Sequence, residues 1–177
     1  MPVTSNPVPG EEAVDVPADM VPRPTGDELL ALDAQFCFPL YAATNLVTRM
    51  YRPLLKPLGL TYPQYLAMMV LWESGPITVK ALGERLLLES GTLSPLLQRL
   101  EQRRLVKKRP DPDDGRRVIV TVTAKGLAMK SEAARVPEAL LCQLLTGGPE
   151  AAVRVGALRQ QLQDLVKTLS HTVDDDG

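Results

Sequence analysis

The sequence predicts a mainly α fold carrying one small β unit, and three observations predict it. Leucine-rich patterns at helical spacing fill most of the 177 residues, while only Leu105 to Thr123 reads as strand. Within Thr78 to Thr123, two short helical patterns are joined by a tight connection, the plan of a helix-turn-helix. A charged hairpin follows at once, and a hairpin placed just after such a pair is a wing. The expected architecture is therefore a winged helix-turn-helix flanked by N- and C-terminal helices.

Residues 1–26 hold six prolines, four acids and few large apolar groups. Such an extension buries too little surface to offset its ordering entropy, so it is expected to be disordered. Residues 27–58 read as helix, with an interruption near Pro39 and a bend or local break at Pro53. Leu40, Ala43, Val47, Met50, Leu54 and Leu58 form its apolar stripe, and Arg49, Arg52 and Lys56 lie off it. Pro57 and Gly59 end it. Thr61 reads as the N-cap of a helix from Tyr62 to Glu73, with Pro63 in the first turn. Tyr65, Leu66, Met69, Val70 and Trp72 read as core. Ser74-Gly75-Pro76 closes that helix, and Ile77 leads on as a short strand.

The first helix of the pair, Val79 to Leu87, sets Val79, Leu82 and Leu86 on one side. The connection, Leu88 to Gly91, ends in small polar residues suited to starting a helix. The second keeps Leu93, Leu96, Leu97 and Leu100 on one stripe and leaves Thr92, Ser94, Gln98, Arg99 and Arg103 facing elsewhere. Pro95 is assigned to its first turn, where amides lack intrahelical partners. Leu105–Arg109 and Arg117–Thr123 are the strands, and PDPDDG reverses the chain between them.

Charge is unevenly spread. Thr78 to Gly126 carries eleven Lys/Arg against six Asp/Glu, whereas residues 1–36 carry seven acids and one arginine. The net charge of −1 thus hides a basic module beside an acidic leader. A helix with a polar and basic free face fits the major groove of double-stranded DNA, with Thr92, Ser94, Gln98 and Arg99 as its candidates. Arg116 or Arg117 would reach the minor groove from the wing. For Arg116 the plainer role is a salt bridge with Asp114 or Asp111 that stiffens the hairpin. Lys107, Lys108 and Arg109 are backbone contacts at best.

Thr123, in TAKG, caps a helix that runs through Ala133 towards Val136, and Pro137 restarts or kinks it up to Leu145. Gly147-Gly148-Pro149 is a turn. The last helix, Glu150 to Leu169, places Val155, Leu158, Leu162, Leu165 and Leu169 at heptad-like spacing, and the terminal DDDG should fray. These flanking helices have apolar stripes and little core of their own. Pairing with a second copy would bury them and set two reading helices one DNA turn apart, matching a palindromic operator. Packing within one chain as a small bundle is the alternative.

Nothing approaches the roughly 18 apolar residues of a membrane span, and no export pattern opens the chain, so a cytoplasmic protein with no membrane partner is expected. The single histidine, His171, reads as a tail residue, leaving no His-based triad or multi-His metal site; no cofactor is expected. Two cysteines do not make a disulfide scaffold.

A resemblance sharpens this. DGRRVIVTVTAKG carries Asp114, Arg116 and Thr123 at the spacing of the wing motif of MarR-family repressors. FCFPLYAATNLVTRMYRPLLKPLGLTYPQYLAMMVLWE with GERLLLESGTLSPLLQRLE closely resembles the organic-hydroperoxide sensors of that family, the OhrR subgroup. The likeness spans about residues 29 to 145, and TYPQYL with ESGTLSPLL carries most of its specificity. It implies a homodimeric transcriptional repressor and not an enzyme, with a MarR-type domain over 27–177. Residues 27–60 and 124–172 would supply the dimerisation helices, and 61–123 the DNA-binding module. Cys37 matches the peroxidatic cysteine, Tyr51 and Tyr62 match tyrosines that hydrogen-bond its sulfur, and Tyr41 matches a third found in some members. Cys142 resembles the resolving cysteine of two-cysteine members. The implied switch is oxidation of Cys37 by an organic hydroperoxide to a sulfenic acid, a disulfide with Cys142 of the other subunit, and operator release.

Physics constrains that arrangement. Cys37 and Tyr51 are fourteen residues apart, about 21 Å along an unbroken helix. Contact needs either a break or a partner helix across a two-fold axis. A thiolate at a helix N-terminus, given phenolic donors, is the reactive form. Phe36, Phe38, Leu40 and Met50 would wall such a site with apolar surface, or else serve as ordinary core. Pro39 departs from the family pattern and would place Cys37 at or before the helix start. Two other functions fit less of the chain. One is a MarR-type repressor released by a small phenolic ligand. The other is a thiol peroxidase, against which no βαβ pattern surrounds either cysteine.

Overall fold

A computed structural model describes residues 26, 30–144 and 148–175, with the backbone alone at 149, 174 and 175. The extension read as disordered lies outside the described residues except for Gly26, and so does Gly147 of the expected turn. The chain divides into two units, residues 1–43 and 44–177.

In the first unit a 3-10 turn, Leu32–Ala34, precedes helix α1, Cys37–Leu55, which runs on into the second. Helix thus begins ten residues later than the pattern from 27 suggested. Pro39 is the reason it begins there without interruption: as the third residue of α1 it occupies a turn whose amides have no partner to lose. Pro53 does not break the helix either. It sits one turn from the end on the exposed side, where water satisfies the carbonyl it leaves free.

The second unit continues with α2 (Tyr62–Ser74), β1 (Ile77–Thr78), α3 (Val79–Leu86) and α4 (Ser90–Gln102). Strands β2 (Val106–Pro110) and β3 (Val118–Val122) form the wing, and α5 (Ala124–Ala128), α6 (Lys130–Ala133), α7 (Arg135–Leu144) and α8 (Pro149–Asp175) follow. The sheet is antiparallel in the order β1-β3-β2, with Ile77 opposite Val120 and Lys108 opposite Val120 from the other side. Leu55, Leu58, Leu82, Leu93, Leu97, Leu100, Leu105 and Val120 close a core between the helix pair and the sheet. Each such leucine contributes about 1.5–3 kcal/mol by leaving water.

Several local corrections follow from this packing. Met69 was read as core, yet it is 42% exposed while Met68 is fully buried beside Tyr65 and Leu71. Helix α2 is apolar on nearly every face, so spacing alone gave no direction. Helix α4 starts at Ser90, two residues earlier than Thr92, because Leu87 takes a left-handed turn at φ 52° and Leu88 N–H bonds the Gly83 carbonyl at 2.9 Å. A Cβ at Gly83 would lie 2.9 Å from Leu88 O, so the turn needs glycine there. Pro95 consequently falls in the second turn of α4 rather than the first, and the carbonyl it frees belongs to exposed Gly91.

After the wing, Thr123 caps α5 by accepting from Gly126 N–H at 3.1 Å, as its sequence suggested. The helix expected to run towards Val136 is already stepped at Met129, at ψ −20°, whereas the restart expected around Pro137 is present: Ala134, also at ψ −20°, precedes α7, which carries Pro137 in its first turn. Helix α8 continues to Asp175; the last two residues of the DDDG run expected to fray lie outside the described residues.

Candidate functional site

Two groups of side chains stand out, one on the outer side of α4 and the wing, the other where α1 meets α2. On α4 the buried stripe Leu93, Leu96, Leu97 and Leu100 forces Thr92, Ser94, Gln98 and Arg99 outward, and all four are exposed. Arg103 does not join them. Its guanidinium donates to the carbonyls of Leu58, at 3.0 Å, and Gly59.

In the wing, one carboxylate organises both arginines. Asp114 accepts from Arg116 N–H at 3.1 Å and from Arg116 Nε at 3.4 Å, and its other oxygen lies 3.3 Å from Arg117 Nε. Arg117 N–H bonds the Asp114 carbonyl at 2.8 Å, and Asp111 N–H bonds the Arg117 carbonyl at 2.9 Å, closing the tip. The side chain of Arg116 is still 95% exposed, so the brace aims it without covering it. Of the two readings of Arg116, the structure shows the brace to Asp114.

A groove of about 670 Å³ runs between the start of α3, α4 and the wing root, lined among others by Lys80, Ser94, Lys108, Arg116 and Arg117. Lys80 was missed by sequence reasoning. It sits on α3 beside Glu84 at 3.8 Å, an exposed pair too weak to hold it. Lys108 is differently placed: its Nζ lies 3.1 Å from Glu101, which also accepts the Lys108 backbone N–H at 3.0 Å. Desolvation raises the Glu101 carboxyl, but those bonds and the lysine charge outweigh it and hold Glu101 below its usual range. Lys108 therefore fastens β2 to α4.

The second group is aromatic. Tyr51 of α1 stacks on Tyr62 of α2 with ring centres 4.4 Å apart and planes at 27°. Tyr65 adds a third ring 6.0 Å from Tyr51, and its hydroxyl points to the Ala133 carbonyl at 3.4 Å. Burial, then the neighbouring phenols Tyr62 and Tyr65, push the Tyr51 hydroxyl up to about 12. Burial raises Tyr62 and Tyr65 as well, with Tyr62 adding to the latter. All three therefore remain O–H donors at neutral pH. The structure brings together the expected pair and adds Tyr65, which the sequence presented only as core.

Tyr41, on the first turns of α1, is 67% exposed. Cys37 is the first residue of α1 and Cys142 lies in α7; both are exposed free thiols. Phe36 is 68% exposed and so is no core residue, while Phe38, Leu40 and Met50 are half-buried. Helix α1 is assigned without interruption from Cys37 to Leu55.

The last helix keeps its stripe open. Leu158, Leu162, Val166, Leu169 and Val173 are exposed along α8. The end of this helix and the α3–α4 connection border a mainly apolar cleft of about 730 Å³, lined by Leu87, Leu88, Leu93, Val166, Leu169 and Val173 among others. Among the described residues no helix is long and apolar enough to cross a membrane, and no three His, Cys, Asp or Glu gather as a metal site.

Comparison with known proteins places this geometry. The MarR family pattern matches residues 60–118. An organic hydroperoxide resistance transcriptional regulator of Bacillus subtilis (strain 168) is 39% identical over 140 residues, 79% of this chain and 92% of that protein. A solved structure of reduced AbfR bound to DNA, a protein of Staphylococcus epidermidis, is 35% identical with a TM-score of 0.63, spanning 78% of this chain and 97% of its own. Disulfide-formed AbfR is similar too, at 34% identity and a TM-score of 0.58 over 80% and 96% of the two chains.

Proposed function

This chain belongs to the MarR family, and from that premise we propose that it is a DNA-binding transcriptional repressor that senses organic hydroperoxides through Cys37. The observation that carries the reading is the stacked, protonated phenol pair of Tyr51, on the helix that starts at exposed Cys37, and Tyr62, which opens α2. Phenol O–H groups favour a thiolate by donating to it. In this reading the phenol donors to Cys37 come from a second copy. The open apolar stripe on α8 supports such a homodimer, since pairing would remove it from water.

The chemistry balances within the two cysteines and the oxidant. The Cys37 thiolate attacks the outer oxygen of the hydroperoxide, the O–O bond breaks, and the alkoxide leaves as an alcohol after gaining a proton. Sulfur becomes a sulfenic acid. The Cys142 thiolate of the partner then attacks that sulfur, the S–O bond breaks, and the hydroxide leaves as water after gaining a proton, giving an intersubunit disulfide. A disulfide holds its two Cα atoms within about 7 Å; if the reduced dimer holds them farther apart, forming the bond drags the helices that carry them and turns the winged modules. Two reading faces out of register lose groove and phosphate contacts together. Thr92, Ser94, Gln98 and Arg99 would read the major groove of a palindromic operator, and Arg116 and Arg117 the minor groove.

The test is an operator titration with and without an alkyl hydroperoxide, on wild type, Cys37→Ser and Cys142→Ser. Cys37→Ser should stay bound under oxidant, and Cys142→Ser should stay bound or release reversibly. Non-reducing electrophoresis should show a cross-linked dimer only when both cysteines are present. Release of the Cys37→Ser protein by the peroxide would refute the sensor.

A second reading has one observation in its favour, the apolar cleft between the α3–α4 connection and α8. A small phenolic ligand held there would bear on the helix-turn-helix directly. Operator release of Cys37→Ser by such a ligand, with no oxidant, would support it.

A further inference from the structure

We infer that Arg103 is a positioning residue that ties the loop between the two sensor tyrosines to the end of the reading helix. It rests on the peroxide-sensing reading and adds the route by which the two sites communicate. Arg103 caps α4: its N–H bonds the Arg99 carbonyl at 3.2 Å, and its side chain then leaves the helix. The guanidinium donates to the carbonyls of Leu58, at 3.0 Å, and Gly59, forty-five and forty-four positions away in sequence. Those carbonyls lie in the short link between α1, which carries Tyr51, and α2, which opens on Tyr62.

The seat fits that side chain. Gly59 has φ +62°, a conformation that favours glycine, and the guanidinium of Arg103 lies against the open side where a Cβ would stand. Leu58 and Leu60 on either side are buried in the core that holds Leu55 and Leu100. The link therefore cannot shift without moving α4. On its other side, the Arg103 carbonyl accepts from Lys125 Nζ at 3.0 Å, joining α5, the first of the short helices leading to Cys142. A planar fork on two carbonyls fixes direction as well as distance. An ordinary basic C-cap would instead satisfy the last carbonyls of its own helix. A displaced phenol pair would thus pull on the last turn of α4, and the reading face would turn with it.

The experiment measures operator affinity, reduced and peroxide-treated, for wild type, Arg103→Met and Arg103→Lys. Arg103→Met keeps side-chain length and removes the donors. Its Cys37 should oxidise at the wild-type rate, while the ratio of oxidised to reduced dissociation constants shrinks by about fivefold or more. Arg103→Lys should keep part of that ratio, and a full ratio in Arg103→Met overturns the inference. A second measurement uses no oxidant. In Cys37→Ser protein, the operator affinities of Tyr51→Ala, Arg103→Met and the double variant are compared. The double effect should depart from the product of the single effects by about threefold or more. Multiplicative effects overturn the link even where peroxide still releases the operator. A departure in a protein whose wild type ignores peroxide keeps the link and removes the sensor.

Discussion

The winged module and the last helix are built on opposite terms. Between α2 and β3, apolar side chains meet within one chain: Leu93, Leu97 and Leu100 are covered by Leu82, Met68 and Val120 in one core. Along α8, Leu158, Leu162 and Leu169 recur at helical spacing just as regularly, yet they face outward. The same pattern thus serves two purposes, and a leucine stripe alone does not say whether its cover comes from the chain or from another molecule. Folding is settled in the first region. In the second, the apolar stripe stays uncovered within the chain.

The sharpest way to break that contrast is to empty each stripe in turn. Leu100→Ala should destabilise the chain by about 2–5 kcal/mol in denaturant unfolding, because a buried cavity is left. Leu162→Ala should leave protomer folding nearly unchanged and weaken self-association in sedimentation; equal stability losses would erase the distinction. Next in size is Asp114→Ala, which frees both wing arginines. Operator affinity should fall by about 1–2 kcal/mol with the melting temperature little changed, because the braced side chains are exposed. A smaller effect, of opposite sign, belongs to Arg104. It leaves α4 at φ 60°, so Arg104→Gly should stabilise the protein by about 1 kcal/mol in thermal unfolding.

The smallest effect concerns the tyrosines. Tyr51 has its proton held to about 12 in the folded state against 10 when free, so its share of stability is complete below pH 10 and is lost between about 10 and 12. Tyr51→Phe should flatten part of the alkaline unfolding curve in that window. Half-exposure of the ring keeps the amplitude modest.

Much of this fold was legible in the sequence because local chemistry and packing agree. The caps at Thr61 and Thr123, the Pro-Asp-Gly reversal of the wing and the leucine stripe of α4 each act within a few residues. Where the reading erred, the cause lay elsewhere in the chain. A left-handed leucine at 87 carries no glycine or asparagine to announce the turn, and α2 offers no polar face to orient Met68 against Met69. The step at Met129 has no breaker residue, unlike the one at Ala134, which Pro137 follows. Of the sites, the exposed side of α4 and the wing arginines could be read from spacing and charge. Tyr65 and Arg103 could not, since their roles depend on partners far off in sequence, Ala133 in one case and the Leu58–Gly59 carbonyls in the other.

The open stripe of α8 has a physiological consequence under the proposed reading. If a second copy supplies its cover, the paired fraction follows abundance, so binding to a two-fold operator should sharpen as the protein accumulates.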